Sequence, residues 1–204
     1  MKVQIKKLTL MAILAAIALI IFIIEAQIPL PVPIPGVKLG LANAVTLFAL
    51  FYGTDRSFSN KATSITSATL ATQAPTDSQN TVKVAPTALT TINVLTILLC
   101  RITLGAIFTG RLVAFAYSIT GGLLAFIAQV IMKRYVSKDQ IWVCGAIGAV
   151  FHNIGQIAAA MVVTGTPSIA AYLPILIITG VLTGTLTGLV AQIMLQRLSN
   201  TTIG

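Results

Sequence analysis

The chain has 204 residues, of which 56% are hydrophobic and only 8% are charged. Soluble domains carry about 25% charged residues, so this composition excludes a soluble protein and predicts one all-α integral membrane domain over residues 1–204. The net charge of +9 does not indicate a nucleic-acid partner, because Lys and Arg flank the apolar runs instead of forming one patch.

The first predicted element is a membrane helix over residues 8–28. This run is longer than the apolar core of a signal peptide, and no small-residue cleavage site follows it, so we expect it to be retained. After it, Pro29, Pro31, Pro33 and Pro35 stand at every second position. They fix φ and remove backbone donors, so neither helix nor sheet continues, and the segment is predicted to form a stiff wall over a cavity.

The second predicted helix, residues 39–52, has only about two-thirds of the residues that a helix needs to cross a hydrocarbon core. It is predicted to be either a short, tilted span or a half-helix beneath the proline segment. Residues 53–91 are rich in Ser, Thr, Ala, Gln and Asn, which predicts a mobile cytoplasmic loop, with partner docking as the alternative. Four further membrane helices are predicted, at 92–109, 112–132, 141–163 and 172–195.

The distribution of basic residues predicts the orientation of the chain. With the N-terminus in the cytoplasm, only Lys38 and Arg111 lie in outer loops. The inner segments then hold Lys2, Lys6, Lys7, Arg56, Lys61, Lys83, Lys133, Arg134, Lys138 and Arg197. Because positive charges accumulate in cytoplasmic loops, both termini are predicted to be cytoplasmic and the second helix is predicted to be a crossing.

Small residues recur at helical spacing in three predicted helices. Such residues let helices approach closely within lipid, so they indicate either packing inside the bundle or contact with another subunit. For the glycines we expect internal packing, and for the first helix both readings stand. The positions are Ala12, Ala15 and Ala16 in the first helix, Gly121 and Gly122 in the fourth, and Gly180, Gly184 and Gly188 in the last.

Three polar residues interrupt the apolar sequence of the fifth predicted helix. His152 and Gln156 share one helix face, with Asn153 beside them. Polar side chains are costly inside a membrane, so this group is either a hydrogen-bonded clamp between helices or a ligand or proton site. A metal site is not expected, because there is one His without Cys or carboxylate at ligand spacing, and Cys100 and Cys144 are predicted to be core residues.

Arg101 lies inside the third predicted helix, where a cation needs a partner or water. Glu25 is the only acid in any predicted span, so the two are predicted either to form an ion pair or to contact a ligand separately. Gln27, Lys38 and Asn43 are predicted to lie in the outer half of the bundle.

The sequence carries no recognised enzyme signature. There is no phosphate-binding loop ending in GK[ST], no GxSxG motif and no pair of neighbouring carboxylates. We therefore expect the chain to be no enzyme, to hold no cofactor or metal, and to depend on partners for any ATP hydrolysis.

Several segments together resemble one membrane-protein family. They are IPLPVPIPGVKLGLANAVTLFAL, RITLGAIFTG, YSITGGLLAF, GAVFHNIGQIAAA and YLPILIITGVLTGTLTGLVA. In these segments the chain resembles the Gx transporter family, also called heptaprenyl diphosphate synthase component I, which is similar to the substrate-binding S-components of energy-coupling-factor (ECF) transporters. Residues 53–91 are expected to depart from the family pattern.

The resemblance implies a six-transmembrane-helix bundle like an ECF S-component, with a pocket that opens outward. It also implies the partners: a membrane coupling protein and two ATPase subunits, which drive uptake. The small residues Ala12 and Ala16, with Ala15 beside them, match the helix face that contacts the coupling protein in such systems. Catalysis of prenyl transfer is not implied, because the aspartate-rich motifs that hold magnesium and diphosphate are missing.

The predicted function is capture of a small vitamin- or cofactor-like molecule at the outer face of a bacterial cell membrane, in which the multi-pass chain is embedded in lipid. Lys38 and Arg101 are expected to hold an anionic group. The alternative is a non-catalytic assembly subunit for isoprenoid, quinone or flavin-linked electron-transfer enzymes, and a proton-coupled carrier ranks last. The predicted substrate-binding residues are Glu25, Gln27, Lys38, Asn43, Arg101, His152, Asn153 and Gln156.

Overall fold

A computed structural model describes residues 2–28, 40–52, 89–110 and 112–201. These residues form six α-helices and two short 3₁₀ helices, and the described part of the chain contains no strand. The 3₁₀ helices are Lys138–Gln140 and Pro167–Tyr172. The α-helices are α1 (Lys2–Glu25), α2 (Asn43–Tyr52), α3 (Thr91–Thr109), α4 (Leu112–Met132), α5 (Ile141–Thr164) and α6 (Leu173–Thr201).

The predicted all-helical architecture is confirmed. Five of the helices, all except α2, are long and apolar enough to cross a membrane. Their positions follow the predicted spans closely, although α1 ends at Glu25 and only a turn continues from there to Ile28. The crossing by α2 and the side on which the termini lie stay predictions. Lys38, Arg111, the proline segment 29–39 and residues 53–88 lie outside the described residues.

Helix α2 is short and lies inside the bundle. Its 10 residues measure about 15 Å, half the thickness of a hydrocarbon core. It contacts all five other helices, and seven of its residues are buried. Its other three residues, Ala44, Phe48 and Tyr52, form one partly buried stripe, and the rest of its surface packs against the other helices. The polar residues at its start are therefore carried into the interior of the bundle.

The two ends of α2 are held by other helices. The predicted helix began at residue 39, but Gly40 has a left-handed φ of +82° and makes a turn from which the helix starts at Asn43. At the other end, the Lys133 ammonium donates to the Leu50 carbonyl at 2.7 Å. A cation is favourable there, because the last carbonyls of a helix lack intrahelical partners and carry partial negative charge. Partial burial lowers the pKa of Lys133.

Glycines bring α5 close to its neighbours α4 and α6. A methyl group on Gly155 would lie 2.8 Å from the Cα of Gly121, and one on Gly188 would lie 2.6 Å from the Cα of Trp142. Gly184 similarly faces the α5 backbone and the Cβ of Ala149 at 2.7 Å. The prediction that Gly121, Gly184 and Gly188 serve internal packing is confirmed, and α4, α5 and α6 form one interlocked unit.

Helix α1 packs mainly on α2 and α3. Its contact with α3 is centred on Phe22, whose ring lies against Gly105. Of the three small residues singled out in α1, Ala15 is partly buried against the core, whereas Ala12 and Ala16 are exposed. Within the described residues, Ala12 and Ala16 therefore do not serve packing inside the bundle.

Contacts at one end of the bundle join α1 to α3 and α6 to the segment before α5. The Lys7 ammonium donates to the side-chain oxygen of Asn93 at 2.7 Å. This hydrogen bond joins the beginnings of α1 and α3. At the same end, Gln196 of α6 donates to Asp139 at 3.4 Å, just before α5.

Candidate functional site

Seven buried polar side chains converge inside the bundle, and we call them the polar cluster. They come from five helices, and Asn43, at 6%, is the most exposed of them. Apolar clusters lie on both sides of the polar residues along α5, with Cys144 in one and Ile157 in the other. The polar cluster consists of Glu25, Asn43, Arg101, Ser118, His152, Asn153 and Gln156.

Glu25 connects the end of α1 to the beginning of α2. Its carboxylate accepts a hydrogen bond from the backbone N–H of Gly40. Only glycine fits readily at this position, because the φ of +82° is left-handed and a Cβ would lie 3.0 Å from both Asn43 Nδ2 and His152 Cδ2. Gly40 thus brings backbone against three members of the polar cluster.

Substitution of Gly40 by Ala is expected to destabilise the protein more than the same change at Gly165. Both glycines have positive φ, +82° and +65°, so both substitutions carry a backbone cost of about 1–2 kcal/mol. Only Gly40 has neighbours for the new methyl group, whereas Gly165 has nothing within 4 Å. Overpacking should add about 1–3 kcal/mol at Gly40, which melting in detergent would measure. Equal losses at the two positions would contradict the close packing at Gly40.

Arg101 makes a hydrogen bond from Nη2 to Asn43 Oδ1 at 2.9 Å. Glu25 also stabilises the guanidinium charge through space, since the two side chains line the same cavity. The sequence left ion pairing and ligand contact as alternatives for Arg101. The structure places both oppositely charged groups together and adds Asn43 as the hydrogen-bond acceptor.

The three polar residues of α5 have different surroundings. The Asn153 amide donates to the Leu176 carbonyl, so Asn153 clamps α5 to α6. His152 and Gln156 instead face α4, where a methyl group on Gly121 would lie 3.0 Å from both side chains. Their Nε2 atoms are 2.9 Å apart. If the Gln156 amide donates, the ring nitrogen accepts, which requires a neutral imidazole with its proton on Nδ1.

Two small cavities border the polar cluster, and Gly40 lines both. Each is large enough for about one water molecule. The first is lined by Phe22, Glu25, Gly40, Arg101, Ser118 and His152. The second extends between α2, α4, α5 and α6 and is lined by Gly40, Asn43, Leu47, Gln129, Gly145, Ala149, Thr183, Gly184 and Thr187.

Several buried polar atoms in and around the polar cluster have no hydrogen-bond partner among the described residues. Two are nitrogen donors, Arg101 Nε and Asn43 Nδ2. Two are oxygen atoms, Thr46 Oγ1 and Asn153 Oδ1. Leaving such groups unsatisfied costs about 1–3 kcal/mol each, more when charged, so buried polar atoms in native proteins are nearly always paired. The polar cluster therefore has unused capacity for water or for a ligand.

A family model matches most of the chain. It is described as heptaprenyl diphosphate synthase component I, and it covers residues 14–71 and 79–194. The chain belongs to this family. Searches of curated proteins and of solved structures found no match. Contrary to the expectation from the sequence, the match to the component I family continues through residues 53–71 and 79–91, so most of that polar segment follows the family pattern.

The structure brings together six of the eight predicted substrate-binding residues. Of the other two, Gln27 is exposed beyond the end of α1, and Lys38 lies outside the described residues. Every member of the polar cluster falls within the match to the component I family. The stretch 14–71 supplies Glu25 and Asn43, and the stretch 79–194 supplies the rest.

Sequence reasoning missed several polar residues that the structure buries inside the bundle. Ser118 and Thr46 were passed over because Ser and Thr are common in membrane helices, where their hydroxyls bond to the preceding turn. Thr183 does this, donating to the Thr179 carbonyl at 2.9 Å. Gln129, which is 2% exposed, could have been found, because an amide within an otherwise apolar span is rare.

Proposed function

We propose that this component I family member is the substrate-binding membrane subunit of an ECF-type importer. It captures a small vitamin- or cofactor-like molecule at the outer face of the membrane. A coupling protein and two ATPase subunits then drive the uptake. The substrate sits at the polar cluster, between α1, α2, α3, α4 and α5.

The observation that carries this proposal is the pair of buried donors without partners on Arg101 and Asn43, the residues that line the two cavities. A subunit that only anchored a partner would gain stability from an apolar interior, because unsatisfied polar groups are costly in a membrane. Arg101 and Asn43 keep donors available at the centre of the bundle. Binding pockets have this composition: mostly apolar walls with a few convergent polar groups that orient the ligand.

The inventory of acids argues against catalysis by this chain alone. It has four acidic residues, and the closest two in sequence, Asp55 and Asp77, are more than twenty positions apart. Prenyl transfer needs clustered carboxylates to hold magnesium and diphosphate, and Glu25 is instead occupied by the backbone of Gly40. We therefore expect any synthase activity implied by the family description to belong to a partner protein and not to this chain.

The exposed face of α1 is the proposed contact with the coupling protein. Ala12 and Ala16 are exposed, one turn apart, so their small side chains leave room for the backbone of another helix. The double substitution Ala12→Leu and Ala16→Leu is expected to abolish this contact and to leave the polar cluster intact. The substitution Ala158→Leu, at an exposed position of α5, should change neither the contact with the coupling protein nor the polar cluster.

Native mass spectrometry of the protein, extracted gently from its host membrane, tests the proposal. The wild type is expected to carry a small molecule, the coupling protein and two ATPase subunits. The Ala12/Ala16 variant should keep the small molecule and lose the subunits, whereas Ala158→Leu should keep both. A wild-type chain without any small molecule, bound to a prenyl-transferring or redox enzyme, would contradict the transport function.

A second candidate function is a non-catalytic assembly subunit for isoprenoid, quinone or flavin-linked electron-transfer enzymes. The family description, component I of a synthase, favours it, and so does the small size of the two cavities. Such a subunit would fill its cavities with ordered water and would use its helix faces to hold the enzyme. The same mass-spectrometry experiment separates the two candidates.

A further inference from the structure

The unpaired donors of the polar cluster belong to two planar groups that are already joined. Arg101 and Asn43 share the 2.9 Å hydrogen bond from Nη2 to Oδ1. Nε of the Arg101 guanidinium has no hydrogen-bond partner among the described residues, and Nδ2 of the Asn43 amide has none there either. Both side chains are more than nine-tenths buried, at 3% and 6% exposed.

These free atoms can only donate. Guanidinium nitrogens have no acceptor capacity, and an amide NH₂ has none either. Arg101 lines the first cavity and Asn43 lines the second, and the two cavities share Gly40 as a wall. An occupant that satisfies this pair must therefore bring acceptor oxygens.

The charges around the donors are balanced. Among the residues whose burial the structure describes, Glu25 and Arg101 are the only buried Asp, Glu, Lys or Arg side chains, and their opposite charges stabilise each other. A carboxylate or phosphate entering this cavity would add a second negative charge beside Glu25, with little water to screen it. An uncharged oxygen adds no such repulsion.

Resting on the proposed function, we propose that the group bound at Arg101 and Asn43 is the uncharged carbonyl oxygen of an amide, urea or quinone-like ring. The Arg101 charge strengthens a hydrogen bond to a neutral oxygen as it does to an anion. Glu25 keeps that charge compensated whether the site is filled or empty. It thereby excludes anions and sets the selectivity of the site.

An occupant larger than water requires the site to widen. The interlocked glycines hold α4, α5 and α6 together, whereas α1 packs mainly on α2 and α3. The Phe22 and Glu25 wall of the first cavity belongs to α1. Movement of α1 away from α5 enlarges this cavity without disturbing the glycine contacts.

The experiment incubates the purified full-length protein with a small-molecule extract of its host cells, washes it and identifies the retained compounds by mass spectrometry. The wild type is expected to enrich compounds that are uncharged and carry a carbonyl. The double variant Glu25→Gln with Arg101→Gln keeps the charge balanced and removes the guanidinium, so enrichment should fall at least about tenfold. The control is Cys100, the neighbouring position on α3: it was predicted to be a core residue, but the structure shows it exposed on the outer side of the helix. Cys100→Ala should therefore bind as the wild type does.

The single variant Glu25→Gln supplies a second readout, because it leaves Arg101 uncompensated. Its retained compounds should shift towards carboxylates. Retention of an anion by the wild type, lost in the double variant, would overturn the uncharged-carbonyl proposal and leave the transport function standing. Retention of no compound by the wild type would mean that only water occupies the cavities, and would overturn both.

Discussion

Replacing Arg101 by Gln while Glu25 remains is expected to destabilise the bundle by about 3–5 kcal/mol, because one buried charge is left without compensation. Glu25→Gln alone should have a similar effect, leaving the guanidinium charge uncompensated. The double variant should recover most of the loss, since two neutral amides need no opposite charge. The free energy of unfolding in mixed detergent micelles measures all three.

The double-mutant cycle decides whether the two charges act as a pair. The losses stated above imply a coupling larger than the about 0.5–3 kcal/mol typical of residues in one network, because the double variant should lose much less than the sum of the single losses. Cys100→Ala on the exposed side of α3 provides the baseline. Strictly additive losses in the double variant would show that Glu25 and Arg101 are stabilised independently. That result would also remove the charge balance from which an uncharged ligand was inferred.

Substitution of Gly145 by Ala is expected to destabilise the protein by about 3 kcal/mol, the upper end of the range for overpacking. The new methyl group would lie 2.8 Å from the Cα of Gly188 and against the Gly184 carbonyl. These neighbours are backbone atoms of α6 and have no side-chain freedom with which to yield. Melting temperature and the monodisperse fraction in size-exclusion chromatography report the loss.

The control enlarges another position on the same helix by two carbon atoms, one more than Gly145→Ala adds. Ala158→Val enlarges an exposed position of α5 and should change stability by less than about 0.5 kcal/mol. If Gly145→Ala were tolerated equally well, α5 and α6 would be free to separate. The interlocked unit of α4, α5 and α6 would then not be the rigid part of the bundle.

The long helices were predictable because their apolar runs match the thickness of a membrane. Residues 112–132, for example, are the same in the prediction and in the structure. The start of α2 was not predictable, since residues 39–42 are apolar enough to continue a helix. Only the left-handed φ of Gly40, which the Glu25 carboxylate and the packing of His152 require, places the turn there.

The sequence predicted which residues belong to the polar cluster better than it predicted what they contact. Arg101, His152 and Asn153 stand well inside apolar stretches of sequence. Their burial in a membrane is unfavourable unless they have hydrogen-bond or charge partners. Which partner each one has depends on how helices are rotated about their axes, which hydropathy does not encode. Asn153 therefore proved to be a clamp on the Leu176 carbonyl, whereas its neighbour His152 lines a cavity.

The shortness of α2 has a consequence for how the chain is made. An emerging segment of 10 residues offers the translocon too little apolar length to be released into lipid by itself. Its partners α3, α4, α5 and α6 are all synthesised later. We therefore expect α2 to be fully enclosed only after the ribosome has made these later helices.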